Sequence, residues 1–164
     1  MKRELLPTQT VLKRLAFLGW VGCLAASSWA ASVGELRCEF LTNPQGIDAT
    51  KPRLSWQMNS HRRGERQTAY QVLVASSAAK LKRGQADLWD SGKVASDQSH
   101  LVPYAGESLA SRQLCYWNVR VWDQAGDASA WSAPASWSMG LLHPTDWRGQ
   151  RSEERRVGKE CRSR

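Results

Sequence analysis

The chain has 164 residues, 41 % of them hydrophobic, with 23 basic and 15 acidic side chains and a formal charge of +8. The surplus sits at the two ends: residues 1–30 carry Lys2, Arg3, Lys13 and Arg14 against Glu4, and residues 151–164 carry six basic groups against three acidic ones. The middle is close to neutral, which excludes a nucleic-acid partner, because phosphate recognition needs a concentrated basic face.

In chain order, the first predicted element is a secretory signal over residues 1–30. Its n-region is positive, Leu15 to Ala26 (LAFLGWVGCLAA) is apolar, and Ser28-Trp29-Ala30 places small residues where a signal peptidase cuts. The apolar run is too short for a helix across a ~30 Å hydrocarbon core, which needs about twenty residues. No membrane span is therefore expected after cleavage, and the mature protein is expected to be periplasmic or secreted. A short buried helix and a lipoprotein anchor at Cys23 are the rival readings, the latter with Trp20 where Leu is preferred.

The next stretch, residues 35–142, reads as short β-like runs separated by turn residues. Leu36 to Leu41 (LRCEFL) comes first and ends at Asn43-Pro44-Gln45-Gly46. Arg53 to Met58 alternates, with Leu54 and Trp56 on one face. The polar loop His61 to Gln67 follows, holding Arg62, Arg63 and Arg66 as a solvated cluster or a dock for an acidic neighbour. Thr68 to Ser76 puts Tyr70, Val72 and Val74 on one face. Leu81 to Ala86 reads as a helical turn or loop. Leu88 to Val94 and Ser99 to Pro103 are short extended pieces. Cys115 to Asp123 (CYWNVRVWD) is the strongest strand, with Cys115, Trp117, Val119 and Val121 sharing one face by period two. Asp123-Gln124-Ala125-Gly126-Asp127 is a turn, and Trp131 to Leu142 supplies the last strand. Seven such strands predict an all-β fold, an antiparallel two-sheet sandwich of the immunoglobulin or fibronectin type III kind. The expected inward set is Leu54, Trp56, Tyr70, Val72, Val74, Trp117, Val119 and Val121.

Chemistry-bearing residues are sparse. Asp48, Asp87, Asp90, Asp97, Glu107, Asp123 and Asp127 sit mostly near Gly or Ser, as turn residues do. His61, His100 and His143 show no metal-ligand spacing, and neither a nucleophile elbow nor a phosphate-binding glycine loop is present. No cofactor is expected. Cys38 and Cys115 remain in the mature region and form either a disulfide or two separate buried thiols. Trp89, Trp122, Trp131 and Trp137 are candidates for a surface, either a seam with a neighbouring domain or a platform for sugar rings.

The ordered segments LRCEFL, NPQGID, PRLSWQM, RRGERQTAYQVLVASS, DLWDSGKVASDQS, CYWNVRVWDQAG and SAWSAPASWSMGLL resemble the N-terminal fibronectin type III-like domain of secreted bacterial α-L-rhamnosidases. The resemblance runs from about Leu36 to Trp147. It implies a non-catalytic accessory module whose partners are the following domains of the parent enzyme and rhamnose-containing glycans. It also implies a downstream α/α barrel that hydrolyses terminal α-L-rhamnose with inversion, using an acid and a base ~6.5–9.5 Å apart. No position here matches that barrel, so no catalytic residue is carried over. The alternative is a stand-alone carbohydrate-binding module. Residues 143–150 are expected to start a further domain. Residues 151–164 (RSEERRVGKECRSR) lack Ile, Leu, Phe, Trp and Tyr and, when back-translated, resemble a sequencing adapter, so an unstructured, non-native tail is expected there.

Overall fold

The structure, a computed structural model, describes residues 31–148. The expected signal segment, Cys23 and the expected tail lie outside the described residues. The chain forms β1 (Ser32–Cys38), β2 (Arg53–Asn59), β3 (Ala69–Ala75), helix α1 (Ala78–Lys82), β4 (Trp89–Asp90), β5 (Val102–Pro103), β6 (Leu114–Trp122), β7 (Ala135–Ser138) and a closing 3₁₀ turn, Pro144–Asp146. Two antiparallel sheets result, one in the order β1-β2-β5 and one in the order β4-β3-β6-β7. This is the predicted two-sheet sandwich.

Alternation drives the assembly. Each strand has one apolar face, and stacking the two sheets removes both faces from water. Every residue of the expected inward set is buried: Leu54, Val72, Val74, Trp117, Val119 and Val121 are 0 % exposed, Trp56 is 3 % and Tyr70 is 7 %. Complete burial of such side chains contributes ~1.5–3 kcal/mol each. The spine is the β3–β6 pair, in register from Ala69↔Trp122 to Ala75↔Tyr116.

Three details differ from the sequence reading. The first strand starts earlier, at Ser32, and LRCEFL is not one straight run. It turns at Glu39 and Phe40, where Cys38 and Leu41 exchange both backbone hydrogen bonds at 2.9 Å. The helical turn falls at Ala78–Lys82 rather than over Leu81 to Ala86, because Ser77 caps it by accepting a hydrogen bond from the Lys80 N–H. Trp137, expected at a surface, is 0 % exposed. Its strand pairs Cys115↔Trp137, and the same backbone pairing places both side chains on the inner face.

The segment after β6 acts as a substitute strand. The Ser132 N–H donates to the Val119 carbonyl at 2.9 Å and the Ser129 N–H to the Val121 carbonyl at 2.8 Å. In return the Val119 and Val121 N–H groups donate to the Ser132 and Ser129 hydroxyls, each at 3.1 Å. This double stitch holds Trp131 over the outer face of the sheet.

Candidate functional site

Four places concentrate side-chain chemistry. The first is the outer face of β6. The Arg120 guanidinium lies 4.8 Å from the Trp122 ring and 4.7 Å from the Trp131 ring, and the Lys93 ammonium lies 4.6 Å from Trp122. Arg120 also donates to Gln71 Oε1 at 2.8 and 3.1 Å, and Gln71 donates to Asp90 Oδ1 at 2.7 Å. These residues form a ladder of cations and rings, each rung attracted by the ring quadrupole. The Trp122 ring carries two cations, and the residue as a whole is 9 % exposed. Trp131 is half-buried beside Leu73, Ala75 and Leu81.

The second place is the Trp89–Tyr104 corner. Trp89 packs edge-on to Tyr104 at 5.4 Å, and Tyr104 packs edge-on to Trp137 at 6.1 Å. The Tyr104 hydroxyl donates to the Glu107 carbonyl at 2.8 Å and lies 3.2 Å from that of Leu88. Burial, reinforced by Cys115, Glu107 and Asp87, pushes the Tyr104 hydroxyl up to about 12. Gly106 is required here. A Cβ would fall 2.3 Å from the Leu88 carbonyl and 2.6 Å from the Tyr104 hydroxyl.

The third is the sandwich interior around Cys38 and Cys115. Both are free thiols in one apolar cluster, at 1 % and 0 % exposure. Burial pushes each up to about 12, helped by Glu39 and Cys115 for Cys38 and by Asp87 for Cys115. A thiol held this far above its ordinary value is a poor nucleophile.

The fourth is the hairpin tip at Glu39 and Phe40. Glu39 accepts from Arg53 Nη2 at 2.6 Å and from Nε at 3.1 Å. That hydrogen bond holds the Glu39 carboxyl below its usual range and raises Arg53. Phe40 and Leu41 are 56 % and 58 % exposed, and Trp147, beyond the last strand, is 69 % exposed. Sequence reasoning passed over all three. The exposure of Phe40 depends on a turn that carries no glycine or asparagine, so no turn signal marks it.

The remaining predicted residues are scattered. Asp87 accepts from Lys80 Nζ at 2.6 Å and from the Ser76 backbone and hydroxyl. Burial alone would raise its carboxyl, but the Lys80 and Ser76 bonds outweigh it and hold the group well below the usual range. Asp123 caps its own turn by accepting from the Ala125 and Asp127 N–H groups, both at 2.9 Å. Arg62 and Arg63 line one hollow with Gln124, and Arg66 lines an adjoining one with Gln67 and Asp97, with Glu65 common to both. Among the described residues no three His, Cys, Asp or Glu side chains gather as metal ligands, and no helix is long and apolar enough to cross a membrane.

A three-plus-four antiparallel sandwich with a Trp-rich interior defines an immunoglobulin-like domain. Residues 33–143 match the family of Rha78A-like, N-terminal immunoglobulin domains, and the chain belongs to that family. It is 56 % identical over 109 residues to an α-L-rhamnosidase of Streptomyces avermitilis, covering 66 % of this chain and 10 % of that protein. An α-L-rhamnosidase of Formosa agariphila is 42 % identical over 106 residues, covering 65 % of this chain and 11 % of that protein. Among solved structures, the S. avermitilis α-L-rhamnosidase complexed with L-rhamnose superposes with a TM-score of 0.69 at 53 % identity, over 73 % of this chain and 11 % of that one. The α-L-rhamnosidase from Dictyoglumus thermophilum gives 0.69 at 37 % identity, over 71 % of this chain and 13 % of that one. The chain therefore spans about a tenth of the length of the curated relatives it matches.

Proposed function

We propose that this domain is the non-catalytic N-terminal module of an exported polypeptide that hydrolyses terminal α-L-rhamnose from glycosides. The observation that carries the reading is the family match over residues 33–143 combined with the small share of each relative that it covers. The geometry is consistent with it. The carboxylates just described hold turns and ion pairs, and the inner face is filled by apolar side chains. A pair able to run an inverting hydrolysis, with carboxyls ~6.5–9.5 Å apart around a water, would come from the downstream barrel. In this reading the sandwich supports or spaces the domains that follow, and its partners are those domains.

The test is the uninterrupted genomic reading frame, expressed whole and assayed for release of rhamnose from an aryl α-L-rhamnoside. The whole polypeptide should release rhamnose, and the present 164-residue chain should not. A reading frame that continues without a rhamnoside-cleaving domain would overturn the proposal, as would hydrolysis by the short chain alone.

A further inference from the structure

The outer face of the three-stranded sheet carries a groove that an accessory role leaves unexplained. Glu35, Arg37, Phe40, Ser55, Gln57 and His100 line it, around a volume of about 390 Å³. That lies within the ~300–1,000 Å³ common to small-ligand sites. Phe40 forms part of its wall and stands largely in solvent.

Folding alone gives no reason for a phenylalanine at this position. Glu39 and Phe40 are the central residues of a two-residue hairpin, with φ of 49° and 66°. Two successive positive φ values suit Asn-Gly or Asp-Gly and strain other residues. Glu39 is compensated by its bidentate bond to Arg53. Phe40 has the Arg53 guanidinium 5.6 Å from its ring centre and belongs to neither buried cluster. Two more left-handed residues flank the same face, Glu35 at 49° and Leu101 at 54°. Strained residues of this kind gather where a ligand is held.

The charges around the groove cancel. Arg37 pairs with Glu35 at 3.4 Å and Arg53 with Glu39 at 2.6 Å. What remains is an exposed aromatic ring beside a polar floor with no net charge. That combination suits a ligand with an apolar C–H face and many uncharged hydroxyls. We propose that this groove binds a neutral saccharide, one sugar ring lying against Phe40 and its hydroxyls meeting Gln57, Arg37 and His100. Only the choice of rhamnose as first probe rests on the function proposed above.

The experiment is an amide NMR titration of the full chain with methyl α-L-rhamnoside, methyl β-D-glucoside and, as a charged control, glucuronate. Saturable shifts at residues 35–41, Gln57 and His100 with a neutral glycoside, and a weaker response to glucuronate, are expected. Phe40→Asn suits the left-handed turn, so it should keep or raise the melting temperature while weakening Kd at least ~10-fold. Gln57→Ala, an exposed change on the sheet, gives a second reading of the same loss if Phe40→Asn folds poorly. The proposal is overturned if neither glycoside gives saturable shifts, if the shifts map to Trp122 and Trp131 instead, or if both variants bind like the parent. Saturation by the glucoside but not the rhamnoside would support the groove and show that its ligand is a neutral saccharide other than rhamnose, leaving the proposed function to its own test on the whole polypeptide.

Discussion

On the inner face of β6, Cys115, Trp117, Val119 and Val121 are all completely buried, whereas on its outer face Arg120 lies between two tryptophan rings and hydrogen-bonds to Gln71. One strand thus uses two kinds of cohesion. The inner face relies on area removed from water, which is non-directional and proportional to what is buried. The outer face relies on directed contacts between charge, ring and amide, which keep some access to solvent. Core truncation should therefore cost several times more than removal of a ladder rung.

The sharpest way to break this comparison is Trp117→Ala. It deletes a fully buried ring whose indole N–H has no hydrogen-bond partner among the described residues, so packing alone is lost. The expected cost is ~3–5 kcal/mol, read as a large fall in the urea midpoint. A near-neutral result would mean the inner face is not what holds the sandwich. Alkali probes the same face without mutation. Cys38, Cys115 and Tyr104 are each raised to about 12 in the folded protein, from 9.0, 9.0 and 10.0. Their raised folded-state values make the contribution to stability complete below about pH 9. It is lost as pH rises through 9 to 12, because the unfolded chain ionises first. Chemical denaturation should show a plateau below that window and a decline across it. A thiol reagent should label Cys38 and Cys115 only after unfolding, and rapid labelling mapped to either of these two positions in the native protein, apart from Cys23 and Cys161, would refute their burial.

The stitch along the edge of β6 should rank next. Ser132 is 8 % exposed, and Ser132→Ala leaves the Val119 N–H without its hydroxyl partner. A cost of ~1–3 kcal/mol is expected, together with faster amide exchange at Val119. An effect as large as that of Trp117→Ala would show that the stitch, rather than the core, controls folding.

How much of this was legible in sequence follows from the same physics. Period-two alternation reports which side chains leave water, and it located all eight inward residues from Leu54 to Val121. It was silent for Trp137, because β7 is four residues long and its neighbours are Ser and Ala, which suit either face. It was silent for the ladder too. Lys93, Arg120 and Trp131 meet only once the strand register brings separate loops to β6, and no local pattern encodes that meeting. Phe40 was hidden for a third reason. Its hairpin breaks the usual turn chemistry, so the chain reads as strand where it turns.

The smallest effects belong to the ladder, and they test whether it is more than decoration. Arg120→Ala removes the cation shared by Trp122 and Trp131, with an expected cost of ~1–2 kcal/mol, the range for partly desolvated cation–π contacts. Lys93 is exposed and touches Trp122 alone, so Lys93→Ala should cost ~0.5–1 kcal/mol. The combination decides the matter. If the rungs cooperate through the Trp122 ring, the double variant will differ from the sum of the singles by more than the ~0.3–0.5 kcal/mol scatter of independent sites. If they add within that scatter, each cation acts alone on its ring. The outer face is then a set of separate contacts that shields Trp122 from water without organising the sheet.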